Sequence, residues 1–378
     1  MILEKKKNKV VVGLSGGVDS SLALFLLKKQ GYQLTGVSLK FSVWPSNENL
    51  CRENLCCTEK SFKLAKKLCQ RLNVPYYLID CQKEFENVVI RDFICELKAG
   101  RTPNPCIVCN QKLRFPKLFE VARKLGADLV ATGHYARLGQ EVRNPKSAVR
   151  GTSIRNKFQA SNFKLLMAKD ERKDQTYFLY TLNQKQLAKL IFPLGGLTKE
   201  EVKKNAKKEK IEYNERESQD FCFVANQSLV AFLKEKIGQN PGPIYDTSEN
   251  LLGQHYGLYF YTIGQRKGLN FGKKYWVCAL DKKRNALIVT DNENDSALFK
   301  KEIYLKNYHF ISGKAPKKPI RVLAKCRYQQ KLAPAILYPP KNKLLKIVFQ
   351  KPQKAVTPGQ SCVFYQNNIC LGGGVIDS

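Results

Sequence analysis

The chain has 378 residues, 43% of them hydrophobic, which is too long for one ordinary core and apolar enough for two or three globular domains. Its 65 Lys and Arg against 32 Asp and Glu leave a net charge of +33, a field that points to a polyanionic partner, and the commonest large polyanion in cytoplasm is RNA. No run reaches the roughly 18 apolar residues of a membrane span, no apolar leader core precedes residue 9, and 13 cysteines in such a chain argue against a disulfide framework, so a cytoplasmic protein is expected.

Residues 9–14 read as a short buried parallel strand, β-branched and bounded by glycine. Residues 20–30 are apolar-rich without a breaker and close on Gly31, as a helix with a C-terminal glycine does. Between them, Ser15-Gly16-Gly17-Val18-Asp19-Ser20 sets two glycines in a tight turn at a helix N-terminus. Backbone N–H groups and the helix dipole bind phosphate at such a turn. The lysine of a Walker A loop is missing, so the common ATPase loop is excluded. Further strands are predicted over 33–39, 76–80, 128–132 and 164–168, and helices over 59–72, 84–98, 115–125, 175–183 and 198–208. This alternation is that of a doubly wound, Rossmann-like parallel sheet. After about Cys222 the grammar changes. One helix (228–237) gives way to short strands at 256–262, 275–280 and 286–290. From about Lys300 a second β-rich stretch, punctuated by Pro339-Pro340 and Pro358-Gly359, suggests a small barrel. The expected division is an α/β domain at 1–222, a small β-rich domain at 223–299 and a C-terminal β-barrel at 300–378.

The segment from Gly100 to Asn110, which contains Asn104-Pro105-Cys106-Ile107-Val108-Cys109, is predicted to be a loop because two prolines break it. Three readings fit its paired thiols: a redox dithiol, half of a metal site, or two packed side chains. Cys222, between Phe221 and Phe223, alone reads as core. With Cys106 and Cys109 it makes a three-thiolate set that leaves one position open on a [4Fe–4S] cluster. Cys51, Cys56 and Cys57 lie in a polar stretch with no fourth ligand in view and are read as non-metal. Residues 137–157 carry Arg143, Lys146, Arg150, Arg155 and Lys157 among Gly, Asn and Ser, a basic loop suited to tracking a phosphate backbone.

Taken together, these motifs resemble a known family. The loop Ser15 to Ser20 is similar to the pyrophosphate loop of the ATP-pyrophosphatase superfamily, and the chain resembles the tRNA-specific 2-thiouridylases within it. The resemblance is carried by residues 13–20, 100–105, 132–136, 173–179, Cys222-Phe223, 261–269, 355–360 and 371–376, in family order along nearly the whole chain. It implies that Gly13, Leu14, Ser15, Gly16, Gly17, Val18, Asp19 and Ser20 hold ATP at its phosphates, with Leu39 and Gly133 against the nucleoside and Mg²⁺ on the triphosphate. AMP is placed on the 2-oxygen of the wobble uridine, and a sulfur nucleophile then displaces it. By family position Cys109 is the first catalytic cysteine and Cys222 carries the incoming persulfide. Asn104, Pro105 and Cys106 line the flipped-out base, and His134, Lys173, Asp174, Gln175, Arg327, Tyr328 and Gln360 contact tRNA. The implied partners are tRNAs reading lysine, glutamate and glutamine codons and a sulfur-donor protein, with the chain a monomer.

Two positions depart from the family pattern. Methionine usually stands at Leu39, and many members carry an aspartate general acid/base at Cys106. The cysteine pattern instead resembles the branch proposed to hold a [4Fe–4S] cluster. The favoured expectation is therefore a cluster on Cys106, Cys109 and Cys222. The competing route uses no metal, with a Cys222 persulfide resolved by Cys109. Outside this family, a lysidine-synthetase type of ATP-pyrophosphatase and a non-catalytic RNA-binding protein also fit the phosphate loop and the charge.

Overall fold

A computed structural model describes residues 8–46, 58–141, 162–214, 221–225, 228–269 and 272–377; the basic stretch 142–161 and Cys51, Cys56 and Cys57 lie outside these. β1 (Lys9–Gly13) is apolar from Val10 to Val12 because both its faces are covered there, Val11 by one buried cluster and Val10 and Val12 by another. At about 1.5–3 kcal/mol for each side chain of this kind buried, the strand anchors its sheet. β2 (Gln33–Lys40), β3 (Tyr76–Asp80) and β4 (Leu129–Thr132) join it. The chain then makes a hairpin of β5 (Arg137–Glu141) and β6 (Asn162–Leu166) before β7 (Leu190–Ile191). The five-stranded order is β3-β2-β1-β4-β7 with every pairing parallel, the doubly wound sheet expected. Chain order reverses between β1 and β4, whose carboxyl ends pair Gly13 with Thr132. Ligands bind at such a switch point.

The segment read as a loop is one only as far as Asn104 and is helical from Pro105 on. Asn104 caps it, its side chain accepting from the Ile107 N–H, and Pro105 occupies the first helical position, where its missing N–H costs nothing. Helix Pro105–Cys109 runs without a break through a π-turn, Asn110–Arg114, into helix Phe115–Lys124. A second π-turn, Glu86–Ile90, interrupts the 82–98 helix. The strand expected over 164–168 forms two residues earlier, as β6, and not in the parallel sheet. β7 occupies the open edge of β4, so β6 pairs antiparallel with the barrel instead.

The middle of the chain forms a four-stranded sheet, β10-β11-β8-β9, from β8 (Gly242–Asp246), β9 (Leu251–His255), β10 (Trp276–Asp281) and β11 (Ala286–Thr290). The strand expected at 256–262 is a 3₁₀ turn, Leu258–Phe260, because Leu258 and Tyr261, three apart, both bury in this unit's small core. β12 (Phe299–Phe310), β13 (Ile320–Lys325), β14 (Ala333–Leu337), β15 (Leu345–Lys354), β16 (Ser361–Gln366) and β17 (Ile369–Ile376) form an antiparallel barrel. Pairing of β12 with β17 closes it around Ile303, Leu305, Leu337, Ile347 and Phe364. Among the described residues no helix is long and apolar enough to cross a membrane.

Candidate active site

The chain leaves β1 at Gly13 and enters α1 (Val18–Lys29) through the paired glycines. Gly16 adopts φ +74°, and a Cβ there would collide with the backbone of Ser61, so that position tolerates no side chain. Gly133, at the end of β4, passes so close to α1 that a Cβ would lie 2.6 Å from the Ser20 N–H nitrogen. Gly17 caps α1 without any side-chain hydrogen bond, which leaves first-turn N–H donors to a ligand. Ser20 Oγ ties the turn together, accepting from the Ser15 N–H at 3.1 Å and donating to the Gly17 carbonyl at 3.2 Å. The Asp19 carboxylate is held by Lys199 Nζ at 2.7 and 2.8 Å and by the Tyr135 hydroxyl at 2.7 Å. Lys199 opens helix Lys199–Lys208, whose capping box of Thr198 and Glu201 fixes where that ammonium starts.

These elements wall one cavity of about 180 Å³. Gly13, Leu14, Ser15, Asp19, Ser20, Leu39 and Gly133, all expected at a nucleotide, line it, together with His134, Gln175 and Cys222. Gly16, Gly17 and Val18 shape the turn behind. Arg114, Phe41, Val37, Leu118 and Thr132 complete the lining and were not legible as site residues. Asp19 is the only acidic residue among those lining residues.

Cys222 reaches this cavity because its neighbours are anchored. Phe223 is fully buried against Phe85, Phe93 and Phe232, with ring centroids 6.0, 5.5 and 5.6 Å away, and Phe221 packs on Phe93 at 5.3 Å. The Trp44 N–H donates to the Phe223 carbonyl at 2.9 Å, which ties the segment to the chain beyond β2. The flanking phenylalanines thus supply the core while the cysteine between them is half-exposed to the cavity. Cys109 is buried in the apolar cluster that Cys222 abuts, whereas Cys106 is half-buried outside that cluster. Among the described residues, no three His, Cys, Asp or Glu side chains are placed to hold a metal ion. Cys106, Cys109 and Cys222 form no such group, so in this arrangement they do not fit the cluster expected from them.

His134 Nδ1 lies 2.8 Å from Thr132 Oγ1. Burial, with the Arg114 charge beside it, drives its pKa down to about 3, so it faces the cavity as a neutral imidazole. Gln175 is fixed by exchange with Tyr135: its side-chain oxygen accepts from the Tyr135 N–H and its N–H donates to the Tyr135 carbonyl, both at 2.9 Å.

The other residues expected at RNA are placed differently. Asp174 is buried, accepting from the Ala168 N–H at 3.0 Å and the Thr176 hydroxyl at 2.6 Å, and burial raises its pKa; it shows RNA no surface here. Lys173 is half-buried on the 3₁₀ turn Glu171–Lys173. Arg327 Nη2 donates to the Ile263 carbonyl at 2.8 Å and the Thr357 hydroxyl at 2.9 Å, joining the barrel to the middle sheet's unit. Tyr328 packs on Phe178 with centroids 4.5 Å apart. Gln360 Nε2 donates to the Thr102 carbonyl at 3.0 Å, clamping the barrel to the strand of chain that leads into the Asn104 cap. Arg327, Gln360 and Tyr328 thus join distant parts of the chain, the first two by hydrogen bonds across 64 and 258 residues of sequence and Tyr328 by ring packing.

Three family models match the chain: a tRNA methyl transferase HUP domain over residues 8–226, a tRNA methyl transferase PRC-barrel domain over 230–291 and an aminomethyltransferase β-barrel domain over 300–376. A tRNA-specific 2-thiouridylase of Roseiflexus sp. (strain RS-1) is 41% identical over 373 residues, covering 97% of this chain and 99% of its own. The chain belongs to the tRNA-specific 2-thiouridylase family. Another 2-thiouridylase, from Geobacillus kaustophilus, is 39% identical over 378 residues, covering 98% of this chain and 96% of its own. Among solved structures, the U34-tRNA thiolase NcsA from Methanococcus maripaludis aligns over 61% of this chain and 67% of its own, at 20% identity and a TM-score of 0.33. In this 2-thiouridylase-family chain the pyrophosphate loop and Cys222 open onto one space, although about 200 residues separate them.

Proposed function

We propose that the chain is an ATP-dependent tRNA-uridine 2-sulfurtransferase acting on the wobble position. One observation carries this reading: Cys222 lines the same cavity as the pyrophosphate loop. The loop's N–H donors hold the triphosphate, and Leu39 and Gly133 border the nucleoside. The uracil 2-oxygen attacks the α-phosphorus, a P–O bond forms, and pyrophosphate leaves with the electron pair of the broken bond. That step turns a poor leaving oxygen into a phosphate ester. The terminal sulfur of a Cys222 persulfide then attacks C2, and AMP leaves carrying the original oxygen. The Cys109 thiolate attacks Cys222 Sγ, forming a Cys109–Cys222 disulfide and releasing 2-thiouridine; an external thiol reduces the disulfide. Mg²⁺ bound to phosphate oxygens and Asp19 would neutralise charge at the transferred phosphate, and a single carboxylate suits an ion that keeps most of its water.

The target base must leave its stack to reach this cavity, and Asn104, Pro105 and Cys106, at the start of the cysteine helix, are placed on the approach we assign to it. The three-part division at 1–222, 223–299 and 300–378 would leave the middle and barrel units to hold the tRNA body. The substrates we expect read lysine, glutamate and glutamine codons, and the sulfur comes from a relay protein or a cysteine desulfurase in the cytoplasm. Mass spectrometry of nucleosides from these tRNAs, incubated with the protein, ATP, magnesium and a persulfide donor, tests the proposal. The expected product is a wobble uridine with one oxygen exchanged for sulfur, formed only with ATP. Unmodified uridine under these conditions overturns the reading.

A further inference from the structure

We propose that Arg114 is a binding residue of the reaction, gripping the α-phosphate of the nucleotide through its guanidinium; this rests on the cavity being the ATP site. The cavity lining holds two side chains with a full charge, Asp19 and Arg114. His134 is neutral there. Asp19 stands at the loop end, already countered by Lys199. Arg114 stands on the opposite kind of wall, its guanidinium 5.8 Å from the centroid of the Phe41 ring, two residues beyond Leu39. With the terminal phosphates on the pyrophosphate loop and the nucleoside at Leu39, the phosphate nearest that wall is the α-phosphate.

The group is aimed rather than merely present. Nη1 donates to the Asn110 side-chain oxygen at 3.1 Å, and the buried Asn110 amide donates in turn to the Phe178 carbonyl at 3.1 Å, which fixes its oxygen toward the arginine. Phe41 is itself stacked on Phe85 with centroids 4.9 Å apart. A guanidinium so held presents the planar fork whose geometry matches a bidentate grip on phosphate. Arg114 also closes the π-turn Asn110–Arg114, and such turns cluster at functional sites because the widened turn re-aims a side chain. The same helix carries Cys109, so one rigid element sets both a thiol and the cation. During transfer the α-phosphate oxygens gain negative charge, and AMP departs as a phosphate anion. A preset cation stabilises both.

Calorimetric titration of the wild type, Arg114→Met and Arg114→Lys with adenosine, AMP and pyrophosphate tests this. The expected result for Arg114→Met is AMP binding weakened about tenfold or more, with adenosine and pyrophosphate within about twofold of wild type, and with Arg114→Lys between the two. Turnover of Arg114→Met should fall about 100-fold. AMP affinity unchanged in Arg114→Met, or a loss confined to pyrophosphate, overturns the assignment. A loss shared equally by adenosine also overturns it, since it marks a collapsed cavity. Failure of the wild type to bind adenosine or AMP at all instead removes the ATP-site reading on which the assignment stands.

Discussion

At the carboxyl ends of β1 and β4, residues expected to meet a ligand do face a common space: Ser15, Asp19, Ser20, Leu39 and Gly133 wall one cavity. At the barrel's contact with the α/β domain the expectation and the structure part. Of the residues expected at RNA, Asp174 is buried, while Arg327 Nη2 and Gln360 Nε2 donate to oxygens of the protein itself. The difference follows from range. A strand, two glycines and a helix make a phosphate turn by local backbone geometry, whichever domain lies beyond it. A lone arginine or glutamine in a barrel takes its role from whatever the other domains bring against it, and sequence spacing does not encode that. The barrel contact thereby becomes part of the site: Gln360 holds Thr102, two residues before the Asn104 cap of the cysteine helix.

The comparison breaks first, if it breaks, at the sulfur. Cys222→Ser should abolish 2-thiouridine formation, a loss of about 1,000-fold or more, while pyrophosphate release in the presence of tRNA persists. Full activity in that variant would strip the cavity of its nucleophile. Next in size is Lys199→Met, which leaves the part-buried Asp19 carboxylate without its cation. It should raise the KM for ATP about tenfold, and an unchanged KM would show that the Asp19–Lys199 pair is only structural. Gln360→Ala sharpens the other side. As a strut it should cut turnover about three- to tenfold with tRNA affinity within about twofold; if it binds RNA directly, the affinity falls instead and turnover of bound tRNA holds.

The smallest effect concerns pH. Unfolding returns His134 to its ordinary value of 6.5, whereas in the fold its pKa is about 3. The unfolded chain therefore binds the extra proton as pH drops below 6.5, and the stability owed to neutral His134, intact above that pH, is lost as pH falls toward 3. Urea unfolding at pH 7 and pH 5 should show a smaller acid loss for His134→Asn than for the wild type. An equal loss would place the imidazole in water.

Legibility of the site followed the same division. The turn from Ser15 to Ser20 is readable because its strand and helix are contiguous. Lys199 is not, since 180 residues separate it from Asp19 and only its capping box, Thr198 with Glu201, shows in the sequence. The cysteine segment misleads through proline: Pro105 reads as a breaker, yet behind the Asn104 cap it starts a helix. Arg114 is hidden by a π-turn, which shifts the helical register that spacing arguments assume. The β5–β6 hairpin shows the same limit at larger scale. Its strands were recognisable in part, but their sheet was decided by β7 taking the edge of β4.

Peptide-mapped alkylation of the native protein by iodoacetamide, with and without saturating ATP, tests most directly whether nucleotide and sulfur share one space. Cys95, exposed on the 82–98 helix, supplies the internal reference. Bound ATP should slow alkylation of Cys222 several-fold while Cys95 reacts at an unchanged rate. Equal rates at Cys222 with the nucleotide bound would contradict it.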